Sequence, residues 1–150
     1  MNHEGIRKHE AHEESQRECR MRKQSPLEPE ADRMMSHVIG CAIAVHRALG
    51  PGFVESIYRK AMCVELDARR LQYEVERPIR VAYRGVEIPG QRVDLIVGGL
   101  IIVELKAVAR IDRVHVGQVI SYLKTTGLRG GLLINFRVPL LVRGLKRIVL

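Results

Sequence analysis

Residues 92–106 read RVDLIVGGLIIVELK, two β-rich runs on either side of a pair of glycines. Arg92–Val97 and Ile101–Val108 are dominated by branched aliphatic side chains, which strands favour. Gly98 and Gly99 supply the backbone freedom that a tight turn requires. This stretch therefore predicts a β-hairpin.

The length of the turn decides which side chains lie opposite each other. A two-residue turn places Asp94 and Glu104 on opposite faces, because side chains alternate along a strand. A three-residue turn, residues 98–100, sets Asp94 opposite Glu104 and Arg92 opposite Lys106. The aliphatic pairs of that register are Val97 with Ile101, Leu95 with Val103 and Val93 with Leu105. Every opposed pair then matches in polarity, so we predict the three-residue turn, with one aliphatic face and one face that carries the charges.

The two carboxylates on the charged face predict a cation site. Asp94 and Glu104 are expected about 5 Å apart at Cβ, where like charges repel unless a cation or a proton lies between them. Oxygen ligands with no His or Cys nearby favour Mg²⁺ or Mn²⁺ over zinc. We expect these carboxylates, together with the Leu105 carbonyl, to hold the ion and lower the pKa of a bound water, while Lys106 orients that water and stabilises phosphorane charge. The arrangement is typical of phosphodiester hydrolysis. An acid-x-Lys triplet alone is a weak signal, and the alternative is an exposed strand pair.

Hydrophobic periodicity predicts the remaining elements. Residues 34–49 carry apolar side chains at helical spacing up to Gly50-Pro51-Gly52, and a second helix is predicted from about Phe53 to Arg70 with Ile57, Ala61 and Val64 inward. The other predicted elements are an edge strand over Tyr73–Tyr83, a helix over Val114–Thr125, and short strands over Gly131–Phe136 and Leu145–Leu150. The predicted order is α, α, β, β, β, α, β, β.

Length and composition exclude several classes of protein. The 150 residues and 46% apolar content are typical of one folded domain. No apolar run approaches the roughly 20 residues of a membrane span. The N-terminus has no apolar core of a secretory signal, so the expected compartment is the cytoplasm. Cys19, Cys41 and Cys63 form no close pair, which excludes a disulfide framework and a CxxC site; we expect free thiols, two of them in the core.

Charge divides the chain into a tail and a basic domain. Residues 1–33 carry 7 positive and 8 negative charges with no aromatic side chain, which predicts a poorly ordered tail. Residues 34–150 form the predicted domain and carry 18 positive and 9 negative charges. After Asp112 there are seven Lys or Arg residues and no acid. This excess predicts a phosphate-binding surface, with a solvated basic face as the alternative.

Several motifs of the predicted domain occur in the order known from one protein family. GFVESIY at 52–58 and Asp94 followed by ELK at 104–106 are the most specific. The others are HRALGPG at 46–52, VELKA at 103–107, Gln118 to Tyr122, LINF at 133–136 and LKRIV at 145–149. Together they resemble the GxxExxY proteins of the PD-(D/E)XK nuclease superfamily over about residues 34–150. Gln91-Arg92-Val93 departs from the basic-small pair that often precedes the Asp in that family.

The resemblance implies a restriction-endonuclease-like core, an α/β fold in which helices flank a central mixed β-sheet and Asp94 and Glu104 lie on adjacent strands. It implies that Glu55 reaches the same metal site as a third carboxylate or outer base. The alternative for Glu55 is an acid favoured by the helix dipole.

The resemblance also implies substrate-binding residues. Gln118 and Tyr122, four apart on one helix face, are expected beside the metal; the alternative is a half-exposed amide and a tyrosine packed over the sheet. Tyr58 is expected to pack its ring and reach toward the site, and Arg92 is a further substrate-binding candidate. For His46, a hydrogen-bonded helix residue is favoured over a general base.

Three functions fit these observations. The first is a Mg²⁺- or Mn²⁺-dependent nuclease that acts on DNA, by analogy as a homodimer. The second is a catalytically inactive module of the same fold that binds nucleic acid through its phosphates. The third is a protein-interaction domain, since the 4% aromatic content leaves few platforms for base stacking.

Overall fold

The protein is described over residues 26–150 by a computed structural model, and this range contains three α-helices and seven strands. The helices are α1 (Pro29–Leu49), α2 (Glu55–Ala68) and α3 (Arg113–Thr126), and a short 3₁₀ helix covers Leu141–Gly144. The strands are β1 (Tyr73–Pro78), β2 (Val81–Tyr83), β3 (Val86–Ile88), β4 (Arg92–Val97), β5 (Ile101–Lys106), β6 (Gly130–Asn135) and β7 (Leu145–Val149).

Five of the strands form one mixed sheet in the order β1-β4-β5-β6-β7. β5 and β6 are parallel, and the other neighbours in the sheet are antiparallel. A parallel pair needs a crossover connection, which α3 provides between β5 and β6. β1 lies at an edge, as predicted for the strand that begins at Tyr73.

Helices cover both faces of this sheet. α1 and α2 pack on one face through a core cluster that includes Val38, Met62, Leu95 and Leu105. α3 packs on the other face, where Val119 and Leu123 belong to a second cluster. These layers confirm the mixed α/β fold with a flanked central sheet, and they are consistent with a restriction-endonuclease-like core.

The buried face of α2 differs from the predicted one. Tyr58, Met62 and Leu66 are fully buried, whereas Ile57 and Val64 are exposed. The larger side chains remove more apolar area from water, which favours the observed orientation of the helix.

The first helix begins earlier than predicted. α1 starts at Pro29, and Leu27 and Ala31 are already buried in the core. Proline is favoured at the first position of a helix, because the amide that it lacks would have no partner within the helix. The predicted domain boundary at residue 34 therefore lies inside α1. Most of the predicted tail, with Cys19, lies outside the described residues.

The predicted strand over Tyr73–Tyr83 is two strands. β1 ends at Pro78, and β2 pairs with β3 in a separate two-stranded hairpin. The turn of this hairpin has positive φ at Arg84 (49°) and Gly85 (79°), the conformation that suits a two-residue hairpin turn.

Two other sequence expectations concern the membrane and the thiols. Within residues 26–150, no helix has the length and apolar character needed to cross a bilayer. Cys41 is buried in the core, Cys63 packs against it, and both thiols are free. Both therefore take the predicted role of core fillers.

Candidate active site

The candidate site lies where β4 and β5 separate. The two strands pair as Val97–Ile101, Ile96–Ile102 and Leu95–Val103, which confirms the three-residue turn. The ladder between them extends no further, so the predicted pairs of Asp94 with Glu104, Val93 with Leu105 and Arg92 with Lys106 do not form within it. The separation leaves room between the strands for polar side chains.

A local distortion of the sheet accompanies this separation. Across β1, Glu76 has a φ of 48°, and the ladder between β1 and β4 skips the Glu76–Asp94 pair. Val93 packs in the cluster under α3 and not on the aliphatic face with Leu95, contrary to the prediction. Side chains of β4 therefore do not alternate strictly between the two faces of the sheet, and the alternation breaks at Asp94.

The Asp94 side chain binds a backbone N–H that has no partner in the ladder between β4 and β5. Its Oδ2 accepts a hydrogen bond of 2.8 Å from the Leu105 N–H. Its Oδ1 lies 3.8 Å from the guanidinium of Arg59, which also lies 3.5 Å from Glu76. Burial raises the pKa of Asp94, and the hydrogen bond from Leu105 and the charge of Arg59 oppose that rise.

Glu104 is the most deeply buried acid of the site, with 4% of its surface exposed. Its Oε1 lies 3.2 Å from the Lys106 ammonium, and its Oε2 is buried with no hydrogen-bond partner among the described residues. Burial, followed by the negative charge of Asp94, raises the pKa of Glu104 to about 7, against the lowering effect of Lys106. Near neutral pH this carboxyl exchanges readily between its charged and neutral forms.

Glu55 approaches the same charges from α2. It is the first residue of that helix, after Val54 in extended conformation, where a carboxylate is favoured by the helix dipole. Burial raises the pKa of Glu55, and the next largest influence is the charge of Asp94, followed by the opposing charge of Lys106. The structure therefore brings together Glu55, Asp94, Glu104 and Lys106, the four residues predicted as catalytic.

The carboxylates of Asp94 and Glu104 form a pair of oxygen donors that suits a hard cation without enclosing it. Among residues 26–150, no three His, Cys, Asp or Glu side chains converge closely enough to enclose a metal ion. The charge of Asp94, however, makes ionisation of Glu104 less favourable, and Glu104 Oε2 is a buried acceptor without a donor among the described residues. A divalent cation would relieve both, since oxygen ligands suit Mg²⁺ or Mn²⁺. The Leu105 N–H donates to Asp94. A role of the Leu105 carbonyl as a metal ligand stays a prediction.

Tyr122 borders the carboxylates from α3. It is 3% exposed, and its hydroxyl accepts hydrogen bonds from the side-chain amides of Gln118 (2.6 Å) and Gln91 (2.5 Å). Burial and then the charge of Glu104 raise the pKa of Tyr122. Gln118 and Tyr122 thus lie beside the predicted site, while Arg92 is exposed and, within the described chain, has no hydrogen bond or ion pair from its side chain.

Tyr58 has a structural position. Its ring is fully buried and stacks on Phe136 with centroids 4.3 Å apart. Its hydroxyl donates to the Gly50 carbonyl and accepts from the Phe53 N–H at 3.1 Å. Because its hydroxyl both donates to and accepts from the backbone and its ring is buried, Tyr58 is out of reach of a substrate, and the predicted substrate contact is replaced by a role in holding the turn before Glu55.

Four residues near the site were missed as site residues by sequence reasoning. Arg59 lies one helical turn after Glu55, and that spacing was the available signal. Gln91 gave no signal, because its partner Tyr122 is 31 residues away. Asn135 ends β6, and Arg137 lies two residues after it. Both come near the site because β6 lies beside β5 in the sheet.

Comparison with known proteins identifies the superfamily of the chain. A family model described as the PD-(D/E)XK nuclease superfamily matches residues 32–148. No curated protein and no solved structure matches the chain. The matched span covers all five strands of the sheet except the last residue of β7, and it includes both strands that carry Asp94 and Glu104. The chain therefore belongs to the PD-(D/E)XK nuclease superfamily.

Proposed function

We propose that this protein is a metal-dependent nuclease that hydrolyses phosphodiester bonds of DNA at the site formed by Asp94, Glu104, Lys106 and Glu55. The observation that carries the proposal is the buried, unpartnered Oε2 of Glu104, next to a second carboxylate and an ammonium group. Burial of neighbouring acids reduces the stability of a fold, and such acids occur preferentially at functional sites.

Each residue has a role in this proposal. Asp94 and Glu104 hold Mg²⁺ or Mn²⁺, with the Leu105 carbonyl as a further ligand and Glu55 as an outer carboxylate. A divalent ion bound there supplies positive charge that polarises a phosphate oxygen and makes a water more acidic. Lys106 stabilises negative charge that develops on the phosphate.

Tyr122 and Gln118 border the bound phosphate in this proposal. Tyr122 accepts from two amides, so its own O–H proton is directed away from them and is available to a phosphate oxygen. Arg92, exposed at the start of β4, contributes a more distant contact to the DNA backbone.

The experiment is cleavage of plasmid and single-stranded DNA by the purified protein with Mg²⁺, with Mn²⁺ and with EDTA. Lys106→Ala should lower the cleavage rate by about 100-fold or more, as expected for loss of a transition-state charge contact. Lys60→Ala is the matched control, because Lys60 is an exposed lysine of α2 that belongs neither to the site nor to the basic residues after Asp112. Equal rates for wild type and Lys106→Ala, or cleavage that persists in EDTA, would contradict the proposal.

One observation favours a second candidate, an inactive module that binds nucleic acid. Lys106 pairs with Glu104 and Arg59 with Asp94, so the fold itself supplies positive charge to both acids. Such a module would bind DNA in EDTA without turnover, and its affinity would fall with salt.

We further propose membership of the GxxExxY group, action in the cytoplasm and assembly as a homodimer. The GFVESIY stretch supports the first, since its Glu lies at the site and its Tyr holds the preceding turn. A second copy would supply a second site for cutting both strands. Light scattering of the purified protein tests the dimer, and a monomer at all concentrations would contradict it.

A further inference from the structure

A cleft beside the carboxylates has the chemistry of a nucleotide-binding site. Its lining includes Phe53, Val54 and Glu55 from the start of α2, and Ala107 and Arg137 from the ends of β5 and β6. Glu55 thus belongs both to this cleft and to the charge cluster described above.

The cleft has an exposed aromatic ring on one wall and a cation on the other. Phe53 is 48% exposed, and Val54 beside it is exposed as well. Arg137 is exposed, and its guanidinium has no ion pair within the part of the chain that the structure describes. An aromatic face stacks on a base, and an arginine binds phosphate.

Buried polar side chains hold both walls in place. Tyr58 binds the Phe53 N–H, and its ring contacts that of Phe53 edge to face at a centroid distance of 6.3 Å. Asn135 accepts from the amides of Val108 (3.1 Å) and Arg137 (3.2 Å) and donates to the Val108 carbonyl (2.9 Å). A cleft whose walls are fixed before binding loses less entropy when a ligand is bound.

His46 fixes the next segment of the same wall. Its Nε2 lies 2.8 Å from the Val138 carbonyl oxygen, and its ring stacks near Phe136. His46, Tyr58 and Asn135 are the residues of the HRALGPG, GFVESIY and LINF stretches whose polar side chains are buried. Tyr58 and Asn135 bind the backbone of two lining residues, Phe53 and Arg137, and His46 binds the residue that follows Arg137, so these stretches act together to shape the cleft.

This protein has few aromatic side chains, so few residues could stack on a base. Of the six Phe and Tyr residues, two are exposed: Phe53 at 48% and Tyr83 at 67%. Tyr83 lies at the tip of the β2–β3 hairpin, whereas Phe53 lies two residues from Glu55. A base stacked on Phe53 would therefore lie next to a phosphate held at the carboxylates.

We propose that Phe53 and Arg137 bind an unpaired nucleotide next to the scissile phosphate, Phe53 by stacking on the base and Arg137 by contact with the adjoining phosphate. The inference rests on the proposed nuclease function and adds its substrate class, DNA with single-stranded character at the site of cleavage. A paired base inside a duplex cannot offer its face to Phe53, because its neighbours cover both faces.

The test measures binding without turnover. A short oligothymidine with a single 2-aminopurine is titrated into Lys106→Ala protein with Mg²⁺, and quenching of the 2-aminopurine and anisotropy of an end label are recorded. Adding Phe53→Leu should remove the quenching and raise Kd by about fivefold or more, since the apolar bulk stays but the π face is lost. Phe53→Trp should retain both signals. Arg137→Gln should reduce the slope of log Kd against log salt by about one.

Tyr83→Ala is the matched control, since it removes the other exposed aromatic ring and should leave quenching and affinity unchanged. Unchanged binding by Phe53→Leu, or loss of quenching in Tyr83→Ala instead, would overturn the inference. A failure of the proposed nuclease function would give a different experimental result. Wild type would then cleave nothing, while the Phe53-dependent quenching would still be observed.

Discussion

The side chain of Asp94 takes the place of a main-chain partner: its Oδ2 lies 2.8 Å from the amide nitrogen of Leu105, just beyond the last paired residues of β4 and β5. The Asp94 carboxylate thus pairs with the backbone at the end of the ladder, and its charge also raises the pKa of Glu104. The sheet opening and the candidate site are the same feature, because the group that stabilises the opening also carries the charge.

The two roles of Asp94 should separate in two variants. Asp94→Ala leaves the buried Leu105 N–H without an acceptor and should reduce the free energy of unfolding by about 1–3 kcal/mol. Asp94→Asn keeps an acceptor oxygen but loses the charge, so it should fold with nearly wild-type stability and lose DNA cleavage. Urea unfolding and the cleavage assay make the comparison. Equal destabilisation by both variants would show that charge, and not the hydrogen bond, supports the fold.

Glu104→Gln should stabilise the metal-free protein above pH 7. The pKa of Glu104 is raised to about 7 in the fold from 4.5. The folded state therefore keeps a proton that the unfolded state releases, and stability is lost as the pH rises from 4.5 toward 7. Gln stays neutral, so the gain at about pH 8 should be on the order of 1–3 kcal/mol and should vanish at about pH 4. Urea unfolding in EDTA at both pH values measures it, and a variant less stable than wild type at pH 8 would contradict the assignment.

Mg²⁺ should stabilise the wild-type protein at about pH 8. A ligand that binds only the folded state adds about 2.7 kcal/mol at 100 times its Kd. Thermal unfolding with rising Mg²⁺ should therefore show an increasing Tm, and Glu104→Gln should reduce the increase. Mg²⁺-independent Tm values in wild type would remove the support for a cation between Asp94 and Glu104.

Tyr122→Phe should destabilise the site side of α3. The change removes the common acceptor of the side-chain amides of Gln91, which is exposed, and Gln118, which is half-buried, so the cost should be about 0.5–1.5 kcal/mol. Ser121→Ala is the control, since Ser121 is an exposed neighbour and its loss should change stability by less than about 0.5 kcal/mol. Chemical denaturation gives both values. Equal stability of the two variants would show that the amides find water instead.

Two glycine substitutions should act in opposite directions. In Gly144→Ala the new Cβ would lie 2.1 Å from the Asn135 carbonyl oxygen, so the backbone must move and the protein should lose several kcal/mol of stability. Gly117 is exposed on α3 with no atom near a new Cβ, and Gly117→Ala should stabilise by about 0.5–1 kcal/mol. Thermal unfolding distinguishes them, and a tolerated Gly144→Ala would show that the 3₁₀ segment shifts freely.

The sequence by itself determined the elements and the residue types of the site. Periodicity located α1, α3 and the β4–β5 hairpin, because apolar spacing is a local property of the chain. The three-residue turn followed from matching polarity across two strands that are adjacent in sequence. Asp94, Glu104 and Lys106 were predicted from the match of polarity across the hairpin, whereas Glu55 was predicted only from the resemblance of GFVESIY to a known family.

The tertiary structure decided how those residues are used. The left-handed Glu76, the separation of β4 from β5 and the position of Val93 depend on how β1 packs beside β4, which no local pattern reports. Gln91, Asn135 and Arg137 reach the site only because strand order brings distant segments to one edge. Burial also set the pKa of Glu104, since the free energy of a charge depends on what surrounds it in space and not on its neighbours along the chain.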